Sequence, residues 1–200
     1  LKLSLCFFVS LCLGGNDFFL SKVNGQGKLL SEEQLQQAKE YRSIEAALKE
    51  PKKVYKLNLG NNMLTELPAD IGKLKKLQQL DLHDNQLTVL PAEISKLKNL
   101  QVLNLEKNKL TVLPAKIGKL KNLQEFNLRM NQLTTLPANF SKLKNLRQLN
   151  LRDNQLTGLA VEICKLKNLQ VLYLRDNQLS VIPNKIEKLI SLQLLGLNSN

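Results

Sequence analysis

The sequence has no tryptophan, a single histidine (His83), three cysteines and only 4% aromatic residues among its 200 positions. Each shortage excludes something. A zinc centre would have to be assembled from His83 and scattered carboxylates, too few donors for four-coordinate binding. His83 lies between Asp81 and Asp84 with no nucleophile paired to it, so it reads as a solvent-facing contact residue. The stretch Gly25-Gln26-Gly27-Lys28-Leu29 lacks the upstream glycine and the following Ser/Thr of a phosphate-binding loop. No catalytic residue, metal or cofactor is implied, and an enzyme would need an attached domain. Cys6 and Cys12 fall in the first fifteen residues, which leaves Cys164 alone in the rest of the chain. A chain trimmed of that stretch has no internal disulfide and must stand on packing.

Leucine and asparagine are abundant: leucine fills 47 positions and asparagine 21. Hydrophobic residues reach 43%, which excludes wholesale disorder. A core of leucine with few rings points to a repeated pattern. Lys and Arg number 29 against 17 Asp and Glu, a net charge of +12.

Residues 1–15 read as a signal-peptide-like leader. Leu1 to Leu13 is apolar except for Lys2, Ser4 and Ser10, and Gly14, Gly15 and Asn16 end the run. As a helix it would reach roughly 20 Å, short of the ~30 Å hydrocarbon core, so no stable membrane span is expected. Gly14 and Gly25 offer two cleavage points. Lipidation at Cys12 and a buried N-terminal segment are the alternatives. The expected location is therefore secreted or cell-surface, with lipid anchoring as a variant of the second. Residues 16–30 read as a linker.

Residues 31–53 read as a helical N-terminal cap. Ser31-Glu32-Glu33-Gln34 matches a capping box. Leu35, Ala38, Tyr41, Ile44, Ala47 and Leu48 keep roughly helical spacing until Pro51. The expectation is one helix or two, covering the first coil and hiding its strand edge.

From residue 54 a period of 23 organises the chain. Leu77, Leu100, Leu123, Leu146, Leu169 and Leu192 follow one another without insertion, and Val54 extends the series backwards. Six full units run from 54–76 to 169–191, and a partial seventh begins at Leu192. The unit from Leu77 carries Leu80, Leu82, Asn85, Leu87, Leu90, Pro91, Ile94 and Leu97. Leu80-x-Leu82 alternates as a short strand with one buried face. Pro91 fixes φ and opens a return segment, and Ile94 with Leu97 suits a helical or 3₁₀ turn. One coil cannot bury its leucines; stacked coils share a continuous core, with parallel strands about 4.8 Å apart. The column Asn62, Asn85, Asn108, Asn131, Asn154, Asn177 and Asn200 is expected to bond backbone groups of its own and adjacent coils. Asn131→Leu is expected to cost on the order of 1–3 kcal/mol. Cys164 is read as a small residue at a tight convex position, the counterpart of Gly72, Ser95, Gly118 and Ser141.

These motifs resemble the leucine-rich repeat family. L-x-x-L-x-L-x-x-N-x-L followed by L-P-x-x-I-x-x-L is similar to its 23-residue class over 54–200, and the exported, Lys-rich, uniform repeats resemble surface proteins of spirochaetes. The resemblance implies an α/β, right-handed solenoid: parallel strands on the concave face, short helical or 3₁₀ turns on the convex face. It implies ligands taken on the concave face and no catalysis.

Three positions per coil should face outward from the concave sheet, with one more beside them. Arg129, Arg152 and Arg175 would stack about 5 Å apart, each neighbouring pair repelling by about 0.8 kcal/mol in water. Asp153 and Asp176 would offset this in part. The alternatives are a solvated charge ladder and a carboxylate-recognising stripe. Tyr173, Val171 and Met130 add apolar anchors, so the candidate protein-binding patch is Arg129, Met130, Arg152, Val171, Tyr173 and Arg175. Lys-Leu-Lys recurs at 73–75, 96–98, 119–121, 142–144 and 165–167. This stripe serves solubility or weak attraction to acidic glycans. Nucleic acid is not expected, because interleaved aromatics for base stacking are missing.

Two irregularities remain. Leu192, Leu195 and Leu197 begin a seventh strand without a polar capping unit after it, which implies a longer array or a homo-oligomer through that edge. Ala160 replaces the Pro of the other coils, with Gly158 before it, so the fifth coil is expected to be the loosest inner one. Slower hydrogen exchange there than in its neighbours would refute that.

The expected function is a non-enzymatic, exported protein-binding module whose partner could be a host surface protein. The alternative is a structural surface protein that self-associates through the C-terminal repeat.

Overall fold

The computed structural model describes residues 29–200. The leader, its cysteines, and nearly all of the expected linker lie outside them. Eight strands form one parallel sheet in sequential order. They are β1 (Glu40–Tyr41), β2 (Lys56–Asn58), β3 (Gln79–Asp81), β4 (Val102–Asn104), β5 (Glu125–Asn127), β6 (Gln148–Asn150), β7 (Val171–Tyr173) and β8 (Leu194–Gly196). From β2 onward each strand residue pairs with the residue 23 positions later, as in Gln79↔Val102↔Glu125↔Gln148↔Val171. The fold is a leucine-rich-repeat solenoid.

Each return carries a 3₁₀ segment: Ala69–Lys73, Ala92–Lys96, Ile117–Lys119, Ala138–Lys142, Val161–Lys165 and Ile186–Lys188. One coil needs only a single tight turn here, and the 3₁₀ form supplies it. In the second coil Leu80, Leu82, Leu87, Leu90, Ile94 and Leu97 are all buried. Each such side chain contributes about 1.5–3 kcal/mol of burial, and their columns run through the stack as one core. One rung differs: Phe126 and Phe140 stack with ring centroids 6.0 Å apart.

The asparagine column does what its spacing suggests. Asn131 Nδ2 donates to the carbonyls of Leu105 (2.9 Å), Leu128 (3.1 Å) and Arg129 (3.2 Å), while its Oδ1 accepts from Leu110 N–H (3.0 Å). Asn85, Asn108, Asn154 and Asn177 repeat the scheme. Asn62 departs from it: it is exposed, and its Nδ2 donates to its own Gly60 carbonyl. The small convex column is equally literal. A Cβ on Gly118 would collide with the Asn139 carbonyl of the next coil, and Cys164 is buried and unpaired.

The N-terminal segment is more sheet-like than its spacing suggests. Helices α1 (Glu32–Gln37) and α2 (Ile44–Lys49) are separated by β1, which pairs with β2 through Glu40↔Lys56 and Tyr41↔Leu57. The edge of β2 is thus met by a strand rather than by a helix. The capping box is present: Ser31 Oγ accepts from Gln34 N–H, and Gln34 Oε1 accepts from Ser31 N–H. Helical periodicity misread the middle because Tyr41, 4% exposed, enters the core from a strand.

Ala160 holds φ −60° and ψ 135°, close to the −64° and 145° of Pro91. The backbone there already suits a proline. Ala160→Pro is expected to raise stability by about 0.4–1 kcal/mol by restricting the unfolded chain. Urea denaturation measures this, and a lower midpoint would show that the fifth coil needs its alanine.

Candidate functional site

The concave face is built from two registered columns. The first is Lys56, Gln79, Val102, Glu125, Gln148, Val171 and Leu194; the second is Asn58, Asp81, Asn104, Asn127, Asn150, Tyr173 and Gly196. The second column has a structural duty. Asn58, Asp81, Asn104, Asn127 and Asn150 each accept, through Oδ1, the N–H two residues on. These Asx turns bend the chain out of each strand. Tyr173 occupies the same column and has no acceptor for that bond.

Beyond the strands the backbone turns through a left-handed residue in every coil: Asn61, Asp84, Lys107, Met130, Asp153 and Asp176, with φ between 52° and 58°. Asn and Asp tolerate this region; Lys107 and Met130 do so at a cost of about 1–2 kcal/mol. Met130 is 40% exposed.

The three arginines stand in a ladder of alternating charge. Arg129 reaches Glu106 (3.3 Å) and Asp153 (3.1 Å). Arg152 contacts Asp153 (3.3 Å) and Asp176 (3.2 Å), and Arg175 contacts Asp176 (3.1 Å). Three carboxylates therefore balance three guanidinium groups, which removes the repulsion expected of stacked arginines. The charges are partly solvated, so each pair is worth only about 0–1 kcal/mol. Glu106, the first rung, stands in the same outward column one coil before Arg129. Val171 is half-buried on β7. The Tyr173 ring lies over Gly196, with Cδ1 3.4 Å from where a Cβ would stand. The six candidate residues thus share one side of coils four to six, with Met130 on the rim.

His83 is held by Asp81 Oδ1 at Nδ1 (2.8 Å) and by the Asn61 amide at Nε2 (2.8 Å). A Cβ at Gly60 would clash with its ring. Glycine lets the imidazole lie flat on the first coil.

Glu125, in the first column, is only 4% exposed, and burial together with the nearby Glu32 carboxylate pushes its carboxyl up to about 7. Its neighbours in register, Val102 and Gln148, are uncharged.

The lysine stripe divides into two roles. Lys98 Nζ donates to the carbonyls of Ser95 (2.6 Å) and Lys119 (3.3 Å); Lys121 and Lys144 reach the next coil's Lys142 and Lys165 carbonyls. Burial, then Lys119, Lys121 and Lys75, hold the Lys98 ammonium below the usual lysine range. Of the preceding lysines, Lys73, Lys96 and Lys165 pair locally with Asp70, Glu93 and Glu162. A second asparagine column, Asn99, Asn122, Asn145 and Asn168, donates to the carbonyls of Lys75, Lys98, Lys121 and Lys144. The recurring Lys-Asn-Leu carried that signal unread.

Among the described residues no group of three or more His, Cys, Asp or Glu is placed to hold a metal ion. No described helix is long and apolar enough to cross a membrane.

A family model described as leucine-rich repeat region matches residues 46–150, and a second, described as leucine rich repeat, matches 149–200. The chain belongs to the leucine-rich repeat family. Leucine-rich repeat proteins are typically binding scaffolds rather than enzymes. A leucine-rich repeat protein of Leptospira interrogans is 36% identical at a TM-score of 0.62, over 81% of this chain and 53% of its own. The leucine-rich repeat ectodomain of a plant membrane receptor kinase from Arabidopsis thaliana, solved with Casparian strip integrity factor 2, is also 36% identical. Its TM-score is 0.72, over 82% of this chain and 20% of its own. An internalin from Listeria monocytogenes shares the fold at 20% identity and a TM-score of 0.65, over 77% of this chain and 44% of its own. The chain thus spans about half or less of these relatives. No curated protein matches it.

Proposed function

We propose that this chain is a non-enzymatic, exported protein-binding module of the 23-residue class, related to surface repeat proteins of spirochaetes, that recognises a host surface protein through its concave face. Residues 1–15 act as leader, 16–30 as linker, 31–53 as N-terminal cap and 54–200 as the repeats. The contact patch is Arg129, Met130, Arg152, Val171, Tyr173 and Arg175. One observation carries the patch: Tyr173 stands where five earlier coils spend an Asn or Asp on a turn. It gives up that local bond and leaves a ring 39% exposed, the side chain most enriched at binding hot spots with Trp and Arg. Met130, in a backbone region costly for its type, stands on the rim nearby. The ladder supports the reading as well, because ion-paired guanidiniums are held in place and lose little entropy on contact.

Arg152→Glu combined with Tyr173→Ala is expected to weaken binding of a partner captured from host-cell extracts by at least tenfold. Surface plasmon resonance measures it, and an unchanged affinity removes the patch. The outward lysines add weak attraction to acidic glycans, lost as salt rises.

A second reading is self-association through β8. Leu194 and Leu195 are 42% and 37% exposed on this strand, and Ile190 beside it is 77% exposed. Sedimentation of the chain with a polar capping coil appended discriminates: an oligomer that persists with the cap in place excludes β8 as the contact.

A further inference from the structure

The N-terminal half of the concave face holds a groove of about 250 Å³ running from Glu40 on β1 to Glu125 on β5, with Lys56, Asp81, Val102 and Asn104 along it. It is separate from the arginine ladder. Glu125 closes its far end, and the buried Oε2 has no hydrogen-bond partner among the described residues. A buried carboxyl oxygen without a donor costs on the order of 1–3 kcal/mol. The surrounding charges do not answer it. Glu32 of α1 adds a second carboxylate, the strands on either side are uncharged in register, and Glu106 beyond β4 is committed to Arg129. Asp81 is held by His83, and Glu40 by Arg42. Among the described residues Lys56 is the one basic residue lining the groove, three strands from Glu125, or roughly 14 Å. In a chain of net charge +12 this groove is acidic.

We propose that the groove is a subsite for a single ammonium or guanidinium side chain carried by an extended segment of a protein partner, with Glu125 as the buried anion. This rests on the concave face being a protein-binding surface, and adds to it the chemistry of one contact. A bare metal ion suits the groove poorly: it needs several oxygens at about 2.0–2.6 Å, and Asp81, two strands away, stands roughly 10 Å from Glu125. A side chain brings its own tether and hydrogen-bond donors, and a charge-assisted bond to a carboxylate is about twice as strong as a neutral one. Because Glu125 titrates near 7, cation binding displaces its proton. About a tenth of the carboxyl is ionised at pH 6 and about nine-tenths at pH 8.

The test uses three short peptides, acetyl-Gly-X-Gly-amide with X as Lys, Arg or norleucine, titrated into the full chain while the carboxyl carbon of Glu125 is followed by NMR. The Lys and Arg peptides are expected to shift that resonance and to bind about tenfold more tightly at pH 8 than at pH 6; the norleucine peptide is not. Glu125→Gln is expected to abolish the preference for Lys over norleucine while keeping the far-UV circular dichroism. A norleucine response equal to that of Lys, no response to Lys, or a Lys preference that survives Glu125→Gln overturns the subsite. Loss of the protein partner in the Arg152→Glu, Tyr173→Ala variant leaves the peptide response intact, so the two readings fail separately.

Discussion

Glu125→Gln is expected to stabilise the protein by up to about 3 kcal/mol at pH 8 and by little near pH 4. The folded carboxyl titrates near 7 instead of 4.5 because burial disfavours its charge. Between these two values the folded state holds more protons than the unfolded one, so stability falls as pH rises. Below the unfolded value both states are protonated and the group costs nothing. Above about 7 both are ionised, and the whole penalty of burying the charge is present. A shift of this size corresponds to about 3 kcal/mol at 1.36 kcal/mol per unit. Glutamine keeps the shape and removes the charge. Urea denaturation of both chains from pH 4 to pH 8 reads the difference directly. If the two stability profiles run parallel across that range, Glu125 is ionised without penalty and its assigned burial is wrong.

Asn131→Leu is expected to cost about 1–3 kcal/mol. The amide bonds three carbonyls and one N–H. The carbonyls of Leu105, Leu128 and Arg129 keep donors in Asn108, Asn154 and the Lys107 N–H, so leucine strands the Leu110 N–H. That one unpaired buried N–H costs roughly 1–3 kcal/mol. The loss falls between the third and fourth coils, where it weakens coupling between the two halves of the stack. Unfolding is expected to lose cooperativity, with a lower m-value as well as a lower midpoint. A cost under 1 kcal/mol with unchanged m would mean that water replaces the side chain without loss.

The scaffold was legible because its signals repeat. Leu80, Asn85, Pro91 and Ile94 have equivalents one period away, so chance matches cancel and register follows from counting. The same arithmetic placed Arg129, Arg152 and Arg175 in one column. It set Asp153 and Asp176 beside them but not which arginine each one bridges, since an ion pair such as Arg152–Asp176 depends on how side chains lean across coils. The segment before residue 54 has no repeat to count, and Tyr41, spaced like a helical residue, proved to lie on β1. Glu125 was hidden for a related reason. Its column position is that of half-buried Gln and Val residues, and nothing in the pattern of its own coil marks it as the fully buried one. Five members of the second column serve Asx turns, and only against them does Tyr173 stand out.

A chain of near-identical coils faces a hazard that mixed folds avoid: during folding, one unit can dock against the wrong neighbour and skip a turn of the spiral. Leucine columns alone barely penalise that error. The Phe126–Phe140 rung does. Both rings belong to the fourth coil, so they stay stacked wherever that coil docks; shifted by one unit, they would land in a space shaped for leucine and isoleucine, an overpacking that costs about 1–3 kcal/mol. Two phenylalanines therefore act as an address label, telling the fourth coil which place in the queue is its own.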